Sequence, residues 1–483
     1  MMVRITSSSF DSSSECLSYR ARRPCGKTIR RSGDDPLHSR PVVLHGADRV
    51  NPDFVAARRP SSAAANRALA VLWLVYVFNF VDRNILSILL EPIKHELGVS
   101  DTAMGVLTGF AFALFYTVAG LPIARLADRS SRRAIMATGV AFWSLATMAS
   151  GLVQSFAQLA LARVAVGVGE ASATPAAHSI IADYFPPERR TRAIAIYNTG
   201  ANGGILLGLV LGGWLQQAFG WRVAFAVVGL PGLLVAALVA ALVKEPPRGL
   251  SEGRDALHEA PGLGETLRLL RGLRTYRQMA IAIGLYAMSS YGSIAWMPTF
   301  VVRVFGESYA QVGLVLGLVM GISGAAGTYV SGSLCDRLVR RDPRWLLWIP
   351  AIGSAASVPF FAAVVLGHSF WTGLPFYVAS MFLGSMYAAP TYALVQTLAP
   401  LRMRAMAAAV ILFVLNLIGL GLGPTVVGAL NDALHARFGD EAIRVSLLLL
   451  SLANLGGVLH SVLAARSVRA DIARAATGTG WPR

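Results

Sequence analysis

The chain has 483 residues, of which 54% are hydrophobic and only 14% charged, with a mean hydropathy of +0.55. Soluble domains carry charge on about a quarter of their residues, so this composition excludes an ordinary soluble enzyme or scaffold. The net charge of +17 would suggest nucleic acid if the cations gathered on one polar surface, but their placement along the chain gives them another role.

Residues 1–64 are rich in Ser, Arg and Pro and hold no apolar run, so they are not a secretory signal. They are expected to form a disordered basic cytoplasmic tail, or to reflect a start codon assigned too early. Cys16 and Cys25 lie there, and Cys335 lies near a helix end; their spacing suggests neither a metal site nor a disulfide framework. Twelve apolar spans follow, at 67–90, 103–124, 134–153, 156–181, 193–218, 222–243, 277–302, 309–335, 344–366, 371–397, 405–430 and 442–466. Each approaches the ~20 residues a helix needs to cross a bilayer, and none alternates as a barrel strand does. The fold class is therefore an all-α integral membrane protein.

The segment 244–276 is longer and more polar than the other connections. It divides a six-helix bundle at 65–243 from a second at 277–466, which ends in a tail at 467–483. In this linker Leu267, Leu270 and Leu273 recur at helical spacing beside Arg268, Arg271, Arg274 and Arg277. The pattern fits a basic amphipathic helix on anionic headgroups, or an irregular solvated linker. Lys and Arg favour the even-numbered connections over the odd-numbered ones by about four to one. This places both termini in the cytoplasm and accounts for the net charge without nucleic acid.

The two halves repeat. Ala124-Arg-Leu-Ala-Asp128-Arg129-Ser-Ser-Arg132-Arg133 follows span two, and Gly332-Ser-Leu-Cys-Asp336-Arg337-Leu-Val-Arg340-Arg341 follows span eight. Arg190-Thr-Arg192-Ala and Arg402-Met-Arg404-Ala echo each other before spans five and eleven. The Asp residues suit the positive end of a neighbouring helix, and the Arg residues can pair with Asp183 to form a cytoplasmic latch. This loop resembles the signature between helices two and three of the major facilitator superfamily. Ala124 and Ser131, and Val339 in the second copy, stand where that family usually has Gly. The resemblance covers about 67–466 and implies two six-helix bundles with a substrate site between them.

Ionisable residues deep in a span cost about 2.5–3.5 kcal/mol or more and are functional by default. Span one holds Asn79, Asp82 and Arg83; span four holds Arg163, Gly167, Gly169 and Glu170. Matching depths from the span ends puts Asp82 level with Arg163 as an expected ion pair. Glu170 lies about 10 Å deeper, near the midplane. Asp82 and Glu170 are expected to be proton sites with Arg163 and Arg83 as movable partners; the alternative is a static network that only holds helices together. Asn-x-x-Asp-Arg with Gly-x-Gly-Glu-Ala-Ser resembles the spinster branch of the superfamily, over Asn79 to about Gly213. That resemblance implies proton-linked or facilitated movement of amphipathic, lipid-like solutes. The anion/cation symporter branch also carries Asp-Arg in its first helix, which keeps an organic anion:proton symporter open.

Gly200, Gly203, Gly204, Gly208, Gly212 and Gly213 in span five resemble the antiporter glycine motif, but Leu209 replaces its Pro; close helix packing is the simpler expectation. Tyr286, Tyr291 and Trp296 in span seven and Asn416 in span eleven are candidates for the cavity wall. His178 is expected to pack rather than relay protons. No nucleotide-binding loop, metal cluster or nucleophile triad appears in the sequence, so no enzyme activity and no cofactor are expected, with the proton as coupling ion. The expected partners are a small or lipid-like solute and membrane lipids, for a monomer in a bacterial inner membrane. A membrane sensor or scaffold built on a transporter fold is the competitor from a different class.

Overall fold

The computed structural model describes residues 61–246, 263–400 and 403–477. Among them every regular element is helical. Spans one, three, five, six and seven are Ser62–Leu97, Arg132–Ser150, Pro187–Phe219, Trp221–Leu242 and Arg274–Phe305. Spans nine and twelve are Trp345–Leu366 and Ala442–Ala465. Spans two, four, eight, ten and eleven are interrupted. Nine stretches of the described residues are long and apolar enough to cross a membrane, and one, Met406–Ala465, runs through two helices. Leu152, Leu161, Leu234 and Leu459 stand exposed on the outside, as lipid solvation allows and water does not.

Short polar signals keep the connections tight. Ser100, Ser131, Ser155 and Ser308 cap spans two, three, four and eight, each accepting from the backbone N–H three residues on. Spans five and six meet at Gly220, whose φ of 82° favours a residue without Cβ. Twelve crossings leave both described chain ends on one face, the tail face; the opposite one is the far face.

The interruptions themselves repeat. Spans two and eight each contain a π-helical segment, Leu107–Ala111 and Val319–Ser323. Span four stops at Glu170 and restarts at Ala173, while span ten narrows at Ser385–Tyr387. Pro175 and Pro390 follow these breaks; each lacks the N–H that the carbonyl four residues earlier needs. The unbroken span four expected from hydropathy is therefore two helices that hinge just after Glu170. Span eleven carries a longer π segment, Leu415–Leu422.

The halves meet along spans two and eleven and along spans five and eight. A Cβ on Gly105 would lie 2.5 Å from the Pro424 carbonyl oxygen, and one on Gly428 would lie 2.2 Å from that of Asp101. Gly213 and Gly313 face each other across spans five and eight, where a Cβ on either would lie 2.2 Å from backbone oxygen. Span-five Gly204 and Gly208 press on the Val77 and Val81 carbonyls of span one in the same way. The glycines of span five thus serve close packing.

Of two peripheral elements, the linker differs from expectation. The linker helix Leu263–Gly272 exists, but Leu269, Leu270 and Leu273 are buried with Leu394, Leu398 and Met403 of the C-terminal bundle. Its apolar face docks on protein rather than lipid, because the bundle offers a dry groove, and Arg268, Arg271, Arg274 and Arg277 remain outside. The tail from 467 contains a helix, Val468–Thr477, whose Asp471 accepts from Thr275 N at 2.9 Å and so caps span seven.

Overpacking a closed helix contact costs about 1–3 kcal/mol. Gly313→Val should therefore lower the thermal midpoint of the purified protein by several degrees. Gly120→Ala, where an added Cβ meets open space, should leave it unchanged or raised. Equal behaviour of the two variants in a melting assay would contradict the packing described.

Candidate functional site

Four charged residues of spans one and four, Asp82, Arg83, Arg163 and Glu170, lie together within the N-terminal bundle, all buried but the half-buried Arg83. Arg83 Nε donates to Glu170 Oε2 at 2.7 Å, and Glu170 has no exposed surface. The guanidinium is further ringed by Phe80, Phe112 and Tyr116, 4.7–5.2 Å from its carbon, a set of faces that favours a desolvated cation. Asn79 lies one turn from Arg83, buried beside Glu170. Arg163 stacks over Phe225 at 5.3 Å and donates to the main-chain oxygen of Asp82 at 3.3 Å.

That last contact corrects the expected Asp82–Arg163 ion pair. The levels match, but successive helical residues diverge by about 100°, so Asp82 and Arg83 cannot both face span four. Arg83 takes that direction. The Asp82 carboxylate turns to Trp143 and Thr147 of span three. Neither Asp82 nor Glu170 points at acyl chains; they are 3% and 0% exposed.

The C-terminal half contributes a cavity of about 180 Å³ between spans seven, eight, nine, ten and twelve, closed on one side by Asn202 and Ile205 of span five. Tyr286 lines it as expected, with its hydroxyl 2.9 Å from Ser461 Oγ. Tyr291 packs against the apolar clusters of both halves. Trp296 does not line the cavity: it is fully buried and its indole N–H donates to the Pro424 carbonyl at 2.9 Å, pinning span seven to span eleven. Asn416 falls in the π segment of span eleven and is not among the wall residues. Sequence could not separate these four, because an aromatic ring in a span packs more often than it lines a void.

The sequence model of the Major Facilitator Superfamily matches residues 72–467. The chain belongs to that superfamily. It is 37% identical over 429 residues to an MFS-type efflux pump of Mycolicibacterium smegmatis, covering 88% of this chain and 97% of that one. It is 28% identical over 323 residues to a probable galactarate/D-glucarate transporter of Bacillus subtilis, covering 62% and 69%. Among solved structures, a bacterial homologue of the human lysosomal transporter spinster, inward-facing and unoccupied, superposes with a TM-score of 0.79 at 29% identity, covering 85% of this chain and 99% of that one. This facilitator is thus a multi-pass membrane transporter, with transporters and efflux pumps as its relatives.

Among the described residues the repeated loop motif of this facilitator is assembled in one half only. In the first copy Arg132 is buried and binds Asp183 Oδ2 at 2.5 Å, Ser179 Oγ at 2.8 Å, Glu245 Oε1 at 2.8 Å and the Pro246 carbonyl at 2.8 Å. Glu245 also accepts from Ser131 Oγ and from Arg133 N. Arg129 is exposed, and the Asp128 side chain lies outside the described residues. In the second copy Asp336, Arg337, Arg340 and Arg341 are not buried, and the neighbouring Asp342 pairs instead with Arg469 at 2.7 Å. The expected Arg–Asp183 pairing is present; Glu245 as its second acid was not anticipated. His178 stands edge-on to Tyr197, 5.5 Å between centroids.

A second charged cluster, on the far face, was also unanticipated. Arg303 from the end of span seven binds Glu91 at 2.6 Å and Asp101 at 2.7 Å, both in the other half. Lys94 and Asn431 also reach Asp101, at 2.7 and 2.9 Å. Asp432 of span eleven accepts from the backbone N–H of Asp101 and Thr102, at 3.1 and 2.7 Å, at the start of span two. The available signal was the scarcity of Lys and Arg on this face: where cations are rare, one at a helix end points to acids held across from it.

Burial pushes the Glu245 carboxyl up, but the Arg133 N–H, Arg132 and Ser131 outweigh it and hold it below the usual carboxylate range. An acid whose pKa folding lowers contributes stability above its unfolded value, about 4.3, and loses it as pH falls through the folded value. The thermal midpoint should therefore drop on acidification below about pH 4.3, and Glu245→Gln should flatten that dependence. An acid profile identical in both proteins would remove Glu245 from the account.

Proposed function

We propose that this facilitator is a proton-coupled transporter of an amphipathic organic solute, working by alternating access. The observation that carries this reading is the Arg83–Glu170 pair: an acid with no exposed surface whose charge depends on one guanidinium beside a hinge in span four. When span four bends at this hinge as the halves rock, separation of the pair favours the protonated acid, and re-pairing favours release of the proton. Asp82 is the second proton site in this scheme, with Trp143 and Thr147 as its setting. The far-face cluster acts as the outer gate and the Arg132 cluster as part of the inner one. With the even-numbered connections cytoplasmic, the far face is outside, in keeping with the inward-facing state of the spinster homologue. The same orientation puts both termini in the cytoplasm of an inner-membrane protein, and the chain acts as a monomer.

A lipid-like or otherwise amphipathic solute is the leading class, in line with the likeness to spinster. The buried Arg83 and the galactarate/D-glucarate relative favour a second reading, an organic anion moved with protons.

In proteoliposomes given a pH step, the wild type should accumulate or release its solute with the gradient. Glu170→Gln should retain the fold, by melting and gel filtration, yet lose the response to the gradient by at least about tenfold; an unchanged response ends the coupling scheme. Arg303→Ala cuts the link from span seven to Glu91 and Asp101 while Asp101 keeps Lys94, and losing one partner of a buried pair costs about 3–5 kcal/mol. The far face should open, read as faster labelling of a single cysteine at Thr108. Slower or unchanged labelling would show that Arg303 does not hold the gate.

A further inference from the structure

Arg163 is a buried cation without an acid of its own. It is 3% exposed, and among the described residues no carboxylate lies within ion-pair distance of its guanidinium. Nη2 reaches only the main-chain oxygen of Asp82, at 3.3 Å, and Nε is buried with no partner. One face of the group rests on the Phe225 ring. Two acids and two cations balance in number within this cluster, but not in contact. Glu170 is taken by Arg83 at 2.7 Å, and the Asp82 carboxylate turns to span three. Buried charges are normally paired, so the free N–H groups of Arg163 call for an acceptor that the protein does not supply.

Beside this guanidinium lies a second, smaller cavity, of about 40 Å³. Arg83 of span one and Arg163 of span four both line it, with Thr108 of span two. Thr108 gives its proton to the Met104 and Gly105 carbonyls, at 2.9 and 3.2 Å, so the donors on this wall are the guanidiniums. Apolar side chains, among them Leu86, Phe112 and Leu420, supply the rest, and the described wall residues include no Asp or Glu. A water needs about 10–15 Å³ of such space, whereas an organic solute takes about 300 Å³ or more. The cavity therefore admits a body of one to a few atoms. A water there would satisfy one N–H but bring no charge; an anion supplies both the acceptor and the counter-charge, through charge-assisted hydrogen bonds. We infer that this cavity is a binding site for a small inorganic anion of the halide class, held between Arg163 and Arg83. Leu420 comes from span eleven, in the other half, so occupancy favours the arrangement in which the halves meet here. The site stands apart from the solute reading above, since its occupancy needs neither flux nor a proton gradient.

The test is calorimetric titration of the full chain in lipid nanodiscs with sodium bromide and with sodium acetate, sodium gluconate holding the ionic strength constant. Bromide should bind saturably and more tightly than acetate, whose two oxygens lose more hydration against a largely apolar wall. Arg163→Gln should weaken bromide at least about tenfold. Arg222→Gln, at an exposed cation that already has Glu96 at 2.8 Å, should leave bromide binding unchanged. In crystals of the unaltered chain grown with bromide, anomalous scattering should place the ion within hydrogen-bond reach of Arg163, a reading that the folding of no variant affects. Absence of saturable bromide binding, a bromide located elsewhere, or equal binding by Arg163→Gln overturns the proposal. Acetate binding more tightly than bromide, with the same dependence on Arg163, also overturns it and credits the site to the carboxylate end of an organic anion.

Discussion

An ion pair with almost no access to water governs this molecule. Glu170 sits in the middle of a bilayer-spanning bundle, where an unpaired carboxylate would be excluded by its solvation energy, and Arg83 at 2.7 Å is what permits its charge. The surrounding design follows from holding those two groups at that distance. Phe80, Phe112 and Tyr116 wall the guanidinium on its remaining sides. Span four approaches closely through Gly167 and Gly169 and breaks immediately after the acid. The break places the pair next to a point of bending rather than in a rigid rod, so a modest movement of the chain changes the electrostatics of one proton-binding group.

The two faces of the bundle are built differently. On the far face the halves are joined by charges and by backbone approaching backbone, with Gly105, Gly213, Gly313 and Gly428 giving way to carbonyls of the opposite half. On the tail face the Arg132 cluster binds partners within its own half, and its counterpart around Asp336 is open to the surroundings. A repeat that is similar in sequence is therefore dissimilar in its contacts. The paired π segments of spans two and eight lie in the spans that cross from half to half, where local helical slack is most useful.

Much of this could be read without coordinates, for physical reasons. Hydropathy dictates spans because lipid tolerates no unsatisfied backbone, and Asp82, Arg83, Arg163 and Glu170 announce themselves because charge is rare there. Arg132 with Asp183 was legible because both lie at the same end of adjacent spans. Depth, however, is a one-dimensional coordinate. It aligned Asp82 with Arg163 correctly and could not show that the carboxylate turns to span three. The far-face cluster joins Asp101 to residues some 200 and 330 positions away, beyond any local pattern. Trp296 was ambiguous for a further reason: its role depends on whether a void lies beside it, which composition does not record. The leucines of the linker helix misled because a face that suits lipid equally suits a groove on the protein.

The central claim is that protonation at Glu170 sets which face of the bundle is closed. It is tested most directly by spin-label distances between the far ends of the two halves, with labels at Gln154 and Arg437, as pH is varied in nanodiscs. The account predicts a distribution that shifts reversibly with pH in the wild type and is fixed in Glu170→Gln. A shift of the same size and midpoint in Glu170→Gln would contradict it.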